Sequence, residues 1–313
     1  MYTLSMKEYP MTFNEFTTRF ATEEQCRDYL YHLRWPEGFV CPKCKERTKA
    51  WPIGDTLFKC SKCGRQTSVI AGTIFQDTRT PLKTWFTAIW WVTTQKNGAS
   101  AMGLQQILGL KSYTTAWTWL HKIRTAMVYS NRSKLSGSIE VDEAFIGGEE
   151  TDGKRGRGTE NKVLVAVAVE IVEGKKPGRV RLEIIPDASG DSLERFVLKN
   201  IETGSEVITD GWRGYSFVST SGFTHKVLAK KKAEKESEML PCVHMIISLL
   251  KRWLLGTHQG AVSEKHLQSY LDEYVFRFNR RKSAKRGLLF YRLLENAMLV
   301  SPTTQDELLG HKI

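Results

Sequence analysis

Two C-x2-C pairs are the clearest chemistry in this 313-residue chain: Cys41 with Cys44, then Cys60 with Cys63, and 15 residues between the pairs. Each pair fits a tight knuckle, and two knuckles bring four thiolates around one tetrahedral structural zinc ion. Lys43 and Lys62, inside the pairs, favour the thiolate form electrostatically. Two structural disulfides are the competing reading. The first residues, MYTLSMKEYP, lack a basic start followed by an apolar run, so a reducing compartment and zinc are expected instead. The intervening KAWPIGDTLFKC reads as short strands, which makes the module a zinc ribbon too small to fold without its metal. Cys26 and Cys242 read as structural thiols.

A second constellation is acidic. SIEVDEAFIG reads as a strand with Ile139 and Val141 on one face and Glu140 and Asp142 on the other. Glu206 to Thr209 read as a short strand that delivers Asp210 at its end, where DGWRGY begins. Two carboxylates from neighbouring strands can hold hard divalent cations, Mg²⁺ or Mn²⁺. Two such ions can activate a hydroxyl nucleophile and stabilise the leaving oxygen of a phosphodiester. A third ligand is expected from a following helix. VHMIISLLKRWLLG offers His244, with Lys251 two helical turns further on the same face. A neutral imidazole can complete the metal site, and Lys251 can reach a phosphate. Glu238 and Glu273 are the competing third ligands.

The charge balance suits such a substrate. Lys plus Arg number 46 against 34 for Asp plus Glu, a formal charge of +12, which attracts phosphate backbones or anionic membrane surfaces. FRFNRRKSAKR contributes Arg277, Arg280, Arg281 and Lys282 with no acidic residue, and Phe276 and Phe278 are expected to face the core. Arg155 and Arg157, with Lys154 and Lys162, form a second candidate phosphate track beside the first strand. Such contacts bind without reading sequence and weaken as salt rises. The longest apolar stretch, near Val163 to Val169, is far short of the roughly 20 residues that span a bilayer, so no membrane role is expected.

The elements that must position these groups follow from periodicity. Residues 12–34 read as a helical segment that Arg34-Trp35-Pro36 ends. Thr80 and Pro81 make a helix start. A helix ending near Gly109 and another capped by Ser112 or Thr114 suggest a helix-turn-helix, with Lys111, His121, Lys122 and Arg124 on polar faces for DNA. VLVAVAVEIV reads as a buried central strand that forms a hairpin with VRLEIIPD. Asp191 or Ser192 is expected to cap the next helix, and helices are expected at 243–255 and 263–280. Strand, strand, strand, helix, strand, helix is a mixed α/β order, and carboxylates at its strand ends make it ribonuclease H-like by analogy. The expected organisation is a helical segment at 1–36, the ribbon at 37–75, a helical DNA-binding segment at 76–132, the ribonuclease H-like catalytic domain at 133–295 and a tail at 296–313.

VDEAFIGG, TDGWRGY, VHMIISLLKRWLLGTHQGAVS and HLQSYLDEYVFRFNRR together resemble the DDE-type insertion-sequence transposases that carry an N-terminal zinc ribbon, of the ISXO type. RWPEGFVCPKC through SVIAGTIFQDTRTPLKTWF resembles their ribbon and linker. The resemblance runs from about Phe13 to Leu294. It implies cut-and-join chemistry on the terminal repeats of an element, with a metal triad closed by Glu, Asn or His and followed by Lys. Asp142 and Asp210 match the two aspartates, His244 falls at the third position, and Lys251 follows. The expected cofactors are one structural Zn²⁺ and two catalytic Mg²⁺ or Mn²⁺. Double-stranded DNA, as element ends and target, is the expected partner. The reaction also implies a homo-oligomer that pairs two ends, acting in the bacterial cytoplasm at the nucleoid. A repurposed DNA-binding protein without catalysis and a structure-specific nuclease using the same metal pair are the rival functions.

Overall fold

The computed structural model describes residues 9–128, 132–147, 162–173, 176–228, 239–258 and 262–309. The first part of the chain forms helices α1 (Phe13–Arg19) and α2 (Glu23–Arg34), strands β1 (Ala50–Ile53), β2 (Leu57–Cys60) and β3 (Gln66–Ser68), then helices α3 (Leu82–Thr94), α4 (Ala101–Leu108) and α5 (Tyr113–Met127). The second part forms β4 (Ser138–Ile146), β5 (Val163–Val172), β6 (Lys176–Ile184), α6 (Gly190–Asn200), β7 (Glu206–Thr209), β8 (Thr224–Val227), α7 (Pro241–His258) and α8 (Glu264–Asn279). Helices α9 (Arg286–Ala297) and α10 (Gln305–Leu309) follow. The chain divides into two compact units, Met1–Tyr129 with Ser283–Ile313, and Ser130–Lys282.

In the first unit the expected helical segment at 12–34 is two helices. The break falls at Thr22, whose hydroxyl and Gln25 form a reciprocal capping box for α2. The ribbon strands form an antiparallel meander in the order β1-β2-β3. The end of α2 docks them: the Tyr31 ring lies 4.9 Å from Phe58, and the Arg34 guanidinium donates to the carbonyls of Ser68 and Val69. Helix α3 starts after Pro81 as expected, but no Thr80 side chain caps it. The Glu23 carboxylate takes the backbone N–H groups of Leu82 and Lys83 at 2.9 and 2.8 Å, placing a negative charge on donors the helix cannot satisfy itself. Phe16, Phe20, Phe86, Trp90 and Phe290 fill the core with ring contacts, Phe16 to Phe290 at 5.4 Å. Phe290 lies on α9, whose buried stripe also includes Leu289, Leu293 and Leu294. Residues 283–295, expected to close the catalytic domain, therefore fold with the N-terminal helices, because that is where this apolar stripe is covered.

The second unit is a five-stranded mixed sheet in the order β6-β5-β4-β7-β8. β5 pairs antiparallel with both β4 and β6, whereas β4 pairs parallel to β7 and β7 parallel to β8. β5 is the buried, largely apolar strand that its sequence predicts, but it lies between β6 and β4 and the central place is taken by β4. Its Val165, Val167 and Val169 face α7 and α8 together with Ile146, Ile208, Val180 and Leu182. The small Ala166 and Ala168 face α6 with Ile139, Val141, Val207 and Tyr215. Two-residue periodicity thus divides the buried side chains of these strands between two cores. Ser189, rather than Asp191 or Ser192, caps α6 through its hydroxyl.

The open edge of β6 is covered by α8. Asn279 pairs with both backbone groups of Val180, at 2.8 and 3.2 Å, and Gln268 accepts from Ile184 N–H at 3.0 Å. These amide side chains occupy groups that would otherwise invite another strand.

Candidate active site and zinc centre

The four sulfurs of Cys41, Cys44, Cys60 and Cys63 all lie within 4.8 Å of one another. Cys41 and Cys63 are 3.5 Å apart, and Cys44 and Cys60 are 3.8 Å apart. A tetrahedron with metal–sulfur bonds of about 2.3 Å has edges of about 3.8 Å, so the cluster has the size a zinc ion requires. A disulfide needs sulfurs about 2.05 Å apart, which excludes the competing reading for these pairs. The Thr48 hydroxyl, 3.4 Å from Cys60, and the N–H groups of Cys63 and Lys62 pull the Cys60 thiol down to about 6, towards the thiolate a metal takes. Cys26 and Cys242 are buried, and burial pushes the Cys26 thiol up to about 12.

The acidic constellation is built by strand parity. Along β4, Glu140, Asp142, Ala144 and Ile146 share the face that α7 covers, whereas Ile139 and Val141 turn to α6. Along β7, Ile208 faces α7, and Asp210, two residues on, has the same parity. The parallel register pairs Glu140 with Ile208. Asp142 lies two residues beyond Glu140 on β4, Asp210 is the first residue after β7, and the charges of both reach Glu143. Asp210 is exposed and its Oδ1 accepts from Trp212 N–H at 2.9 Å, closing an Asx turn. Gly211 makes that turn with φ +89°, and a Cβ there would fall 2.8 Å from Val227.

Helix α7 brings the imidazole. His244 Nε2 is 3.8 Å from Asp142 Oδ2, and both side chains keep some solvent access, 28% and 17%. Asp142 Oδ1 accepts from Glu143 N–H at 2.9 Å, which leaves Oδ2 turned to the helix. Lys251 is exposed on α7, whose buried stripe is Val243, Ile246, Ile247, Leu250 and Leu254. Among the described residues, only the four cysteines gather three or more ligand atoms within 4.8 Å, so Asp210 stands wider of the Asp142–His244 pair. Glu273, a competing third ligand, is buried on α8 and ion-paired with Arg277 at 2.7 Å. Glu238 lies outside the described residues.

Three further groups surround the pair. Glu140 is buried and its Oε2 accepts from Val243 N–H at 2.7 Å; the Cys242 N–H also bonds its carboxylate. Burial still holds the Glu140 carboxyl above the usual carboxylate range. On the opposite face of β4, Glu143 accepts from the Tyr215 hydroxyl at 2.6 Å. Burial, opposed by that hydroxyl, and then the charges of Asp142 and Asp210 push Glu143 up to about 7. Sequence reasoning placed Glu140 beside Asp142 but assigned a role to neither Glu140, Glu143 nor Tyr215. The available signal was an acid on a strand face destined for burial, which needs a partner.

The basic residues divide by exposure. Lys111 is exposed at the turn before α5, beside exposed Tyr113 and Thr114. His121 and Arg124, expected on polar faces, are buried because the second half of α5 is enclosed on nearly all sides. Lys122 is half-buried, and burial lowers its pKa. Arg277 is held by Glu273. Arg280 lies over the Phe276 ring at 4.2 Å, and Arg281 lies over Phe278 at 3.8 Å while donating to the Pro177 and Gly178 carbonyls. Lys282 is exposed. Arg155 and Arg157 lie outside the described residues, and Lys162 immediately precedes β5.

A mixed sheet in this order, with an aspartate on β4, another just after the parallel β7 and a helix laying a histidine against the first, defines a ribonuclease H-like fold with a candidate site for divalent metal, joined in one chain to a four-cysteine ribbon. Residues 134–279 match the ISXO2-like transposase domain, and residues 21–66 match the transposase zinc-ribbon domain. These matches span more than half of the chain, which belongs to the DDE-type transposases with an N-terminal zinc ribbon. An uncharacterized protein in transposable element ISH50 of Halobacterium salinarum is 27% identical over 303 residues, 89% of this chain and 98% of that protein. Among solved structures, the catalytic core domain of BIV integrase matches 47% of this chain and 85% of its own at 15% identity and a TM-score of 0.30. A simian T-cell lymphotropic virus intasome in complex with PP2A regulatory subunit B56 gamma matches 55% and 63%, at 13% identity and a TM-score of 0.29. No helix among the described residues is long and apolar enough to cross a membrane.

Proposed function

We propose that this transposase cuts DNA at the terminal repeats of its element and joins the freed 3′ ends to target DNA, using Asp142, Asp210 and His244 to hold two Mg²⁺ or Mn²⁺ ions. The observation that carries this reading is the pairing of His244 with Asp142 at 3.8 Å, with Asp210 at the end of the strand parallel to β4. Two carboxylates and an imidazole are a fitting donor set for such ions. When bound, the ions would activate a water and then a 3′-hydroxyl, and stabilise the leaving oxygen. Asp142 Oδ2 and His244 Nε2 would hold one side of the site and Asp210 the other. Lys251, two turns along α7, would meet a phosphate of the strand. No covalent protein intermediate is needed.

Double-stranded DNA would be held by the ribbon and by the turn between α4 and α5. Gly109, with φ +62°, ends α4, and the exposed groups after it are Lys111, Tyr113 and Thr114. A recognition helix reads bases from its N-terminal residues, and these are the ones α5 leaves uncovered. Lys282, Arg155 and Arg157 would add backbone contacts. Two ends must be paired, so the acting form would be a homo-oligomer, working on DNA in the cytoplasm.

Asp142→Asn tests the reading with oligonucleotides bearing an element end. The variant should bind DNA like the parent and lose both cleavage and joining. Strand transfer that survives the substitution would remove Asp142 from the chemistry. A parent protein that cleaves but never joins pre-cleaved ends would be a nuclease instead.

A further inference from the structure

Helix α7 begins with Pro241, which has no N–H to leave unsatisfied, so its first free donors are those of Cys242 and Val243. Both go to one carboxylate, that of Glu140, from a strand 103 residues earlier. Glu140 is 4% exposed and stands on β4 two residues before Asp142, on the same face. The residue that follows the two anchored amides is His244, and the strand residue that follows Glu140 on that face is Asp142. The two contacts are therefore consecutive rungs between the same strand and helix: Glu140 to Val243 at 2.7 Å, then Asp142 to His244 at 3.8 Å. A helix turns about 100° per residue, so a slip of one residue in the first rung would swing the imidazole away from the aspartate. The negative charge at the helix N-terminus also matches the helix dipole.

We infer that Glu140 is a positioning residue, whose carboxylate fixes the rotation and register of α7 so that His244 completes the metal site with Asp142. The inference rests on the metal-site reading above. Its carboxylate is buried and taken up by the backbone amides of Cys242 and Val243, so it acts through His244. Nothing in its role requires it to meet a metal ion, because both groups that it bonds are backbone amides.

Mn²⁺ binding to the full-length, zinc-loaded protein tests this, with free Mn²⁺ read by electron paramagnetic resonance. Glu140→Gln keeps the shape but replaces one acceptor oxygen with an NH2 facing a backbone N–H. It should weaken Mn²⁺ binding roughly tenfold while zinc content and circular dichroism stay as in the parent, as for other residues that orient a ligand. Glu140→Asp, which withdraws the carboxylate by one methylene, should do the same and carries the comparison if the Gln variant fails to fold. Leu254→Ala, which loosens α7 far from its first turn, should lower the melting temperature without changing Mn²⁺ affinity. Parental affinity in both folded Glu140 variants would overturn the inference, as would an equal loss in Leu254→Ala. Asp142→Asn separates the two readings. If it leaves Mn²⁺ binding unchanged, the metal site itself is wrong and Glu140 has nothing to position. If it abolishes binding while the Glu140 variants bind normally, only the positioning role fails.

Discussion

The Tyr215 hydroxyl donates to Glu143 Oε2 at 2.6 Å, and this bond ties the turn that carries Asp210 to the strand that carries Asp142. Tyr215 is fully buried in the α6 core, and the same bond helps hold its own ionisation well above the usual tyrosine range, after burial and the Glu143 charge. Tyr215→Phe should leave the Glu143 carboxylate short of a partner. A loss of roughly 2 kcal/mol in urea unfolding is expected, as for hydrogen bonds to charged groups. No loss would mean that the bond contributes nothing net.

Glu143 also sets a pH dependence. Its carboxyl is raised from an ordinary 4.5 to about 7, so folding disfavours its ionised form. The stability it contributes is fully present below about 4.5 and is lost as pH rises through about 7. Glu143→Gln should flatten the difference between unfolding curves taken at pH 4.5 and pH 8, with no divalent metal added. Identical pH profiles for the variant and parent would contradict the shift.

Zinc should be stoichiometric and structural. One ion per chain is expected from a colorimetric assay after thiol modification, and Cys60→Ser should abolish it. Because Arg34 and Tyr31 dock α2 on the ribbon, chelation should also expose the Trp35 environment to solvent, seen as a fluorescence shift. A metal-free ribbon with unchanged fluorescence would show that the strands hold without the ion.

The proposed nitrogen ligand, His244, predicts a metal preference. Strand transfer with Mn²⁺ should equal or exceed that with Mg²⁺, because Mn²⁺ accepts imidazole more readily. His244→Glu should move the preference towards Mg²⁺, and His244→Ala should lose strand transfer with either ion. A parent protein with a consistent Mg²⁺ preference would count against His244 as a ligand.

Salt dependence can sort the basic residues. Lys111→Ala and Lys282→Ala should each reduce the slope of log affinity against log salt by about 1 if each contacts a phosphate. Arg281→Ala should mainly lower stability, because its guanidinium is occupied by Phe278 and the β6 edge carbonyls. A slope change from Arg281→Ala equal to that of the lysines would reassign it to DNA.

What the sequence by itself determined is what short-range chemistry encodes. The cysteine spacing specifies the zinc centre because two knuckles and one ion leave few geometries. Alternation along 138–146 puts Glu140 and Asp142 on one face, and seven-residue spacing puts His244 and Lys251 two turns apart on one helix. The tertiary structure alone decided which distant groups meet. Glu23 caps a helix 59 residues away, Glu143 finds Tyr215 across 72 residues, and Glu140 anchors α7 across 103. It also carried α9 back to the N-terminal helices and buried His121 and Arg124. Periodicity tells a side chain which way to face, but its partner depends on the register and packing of elements that no local pattern describes.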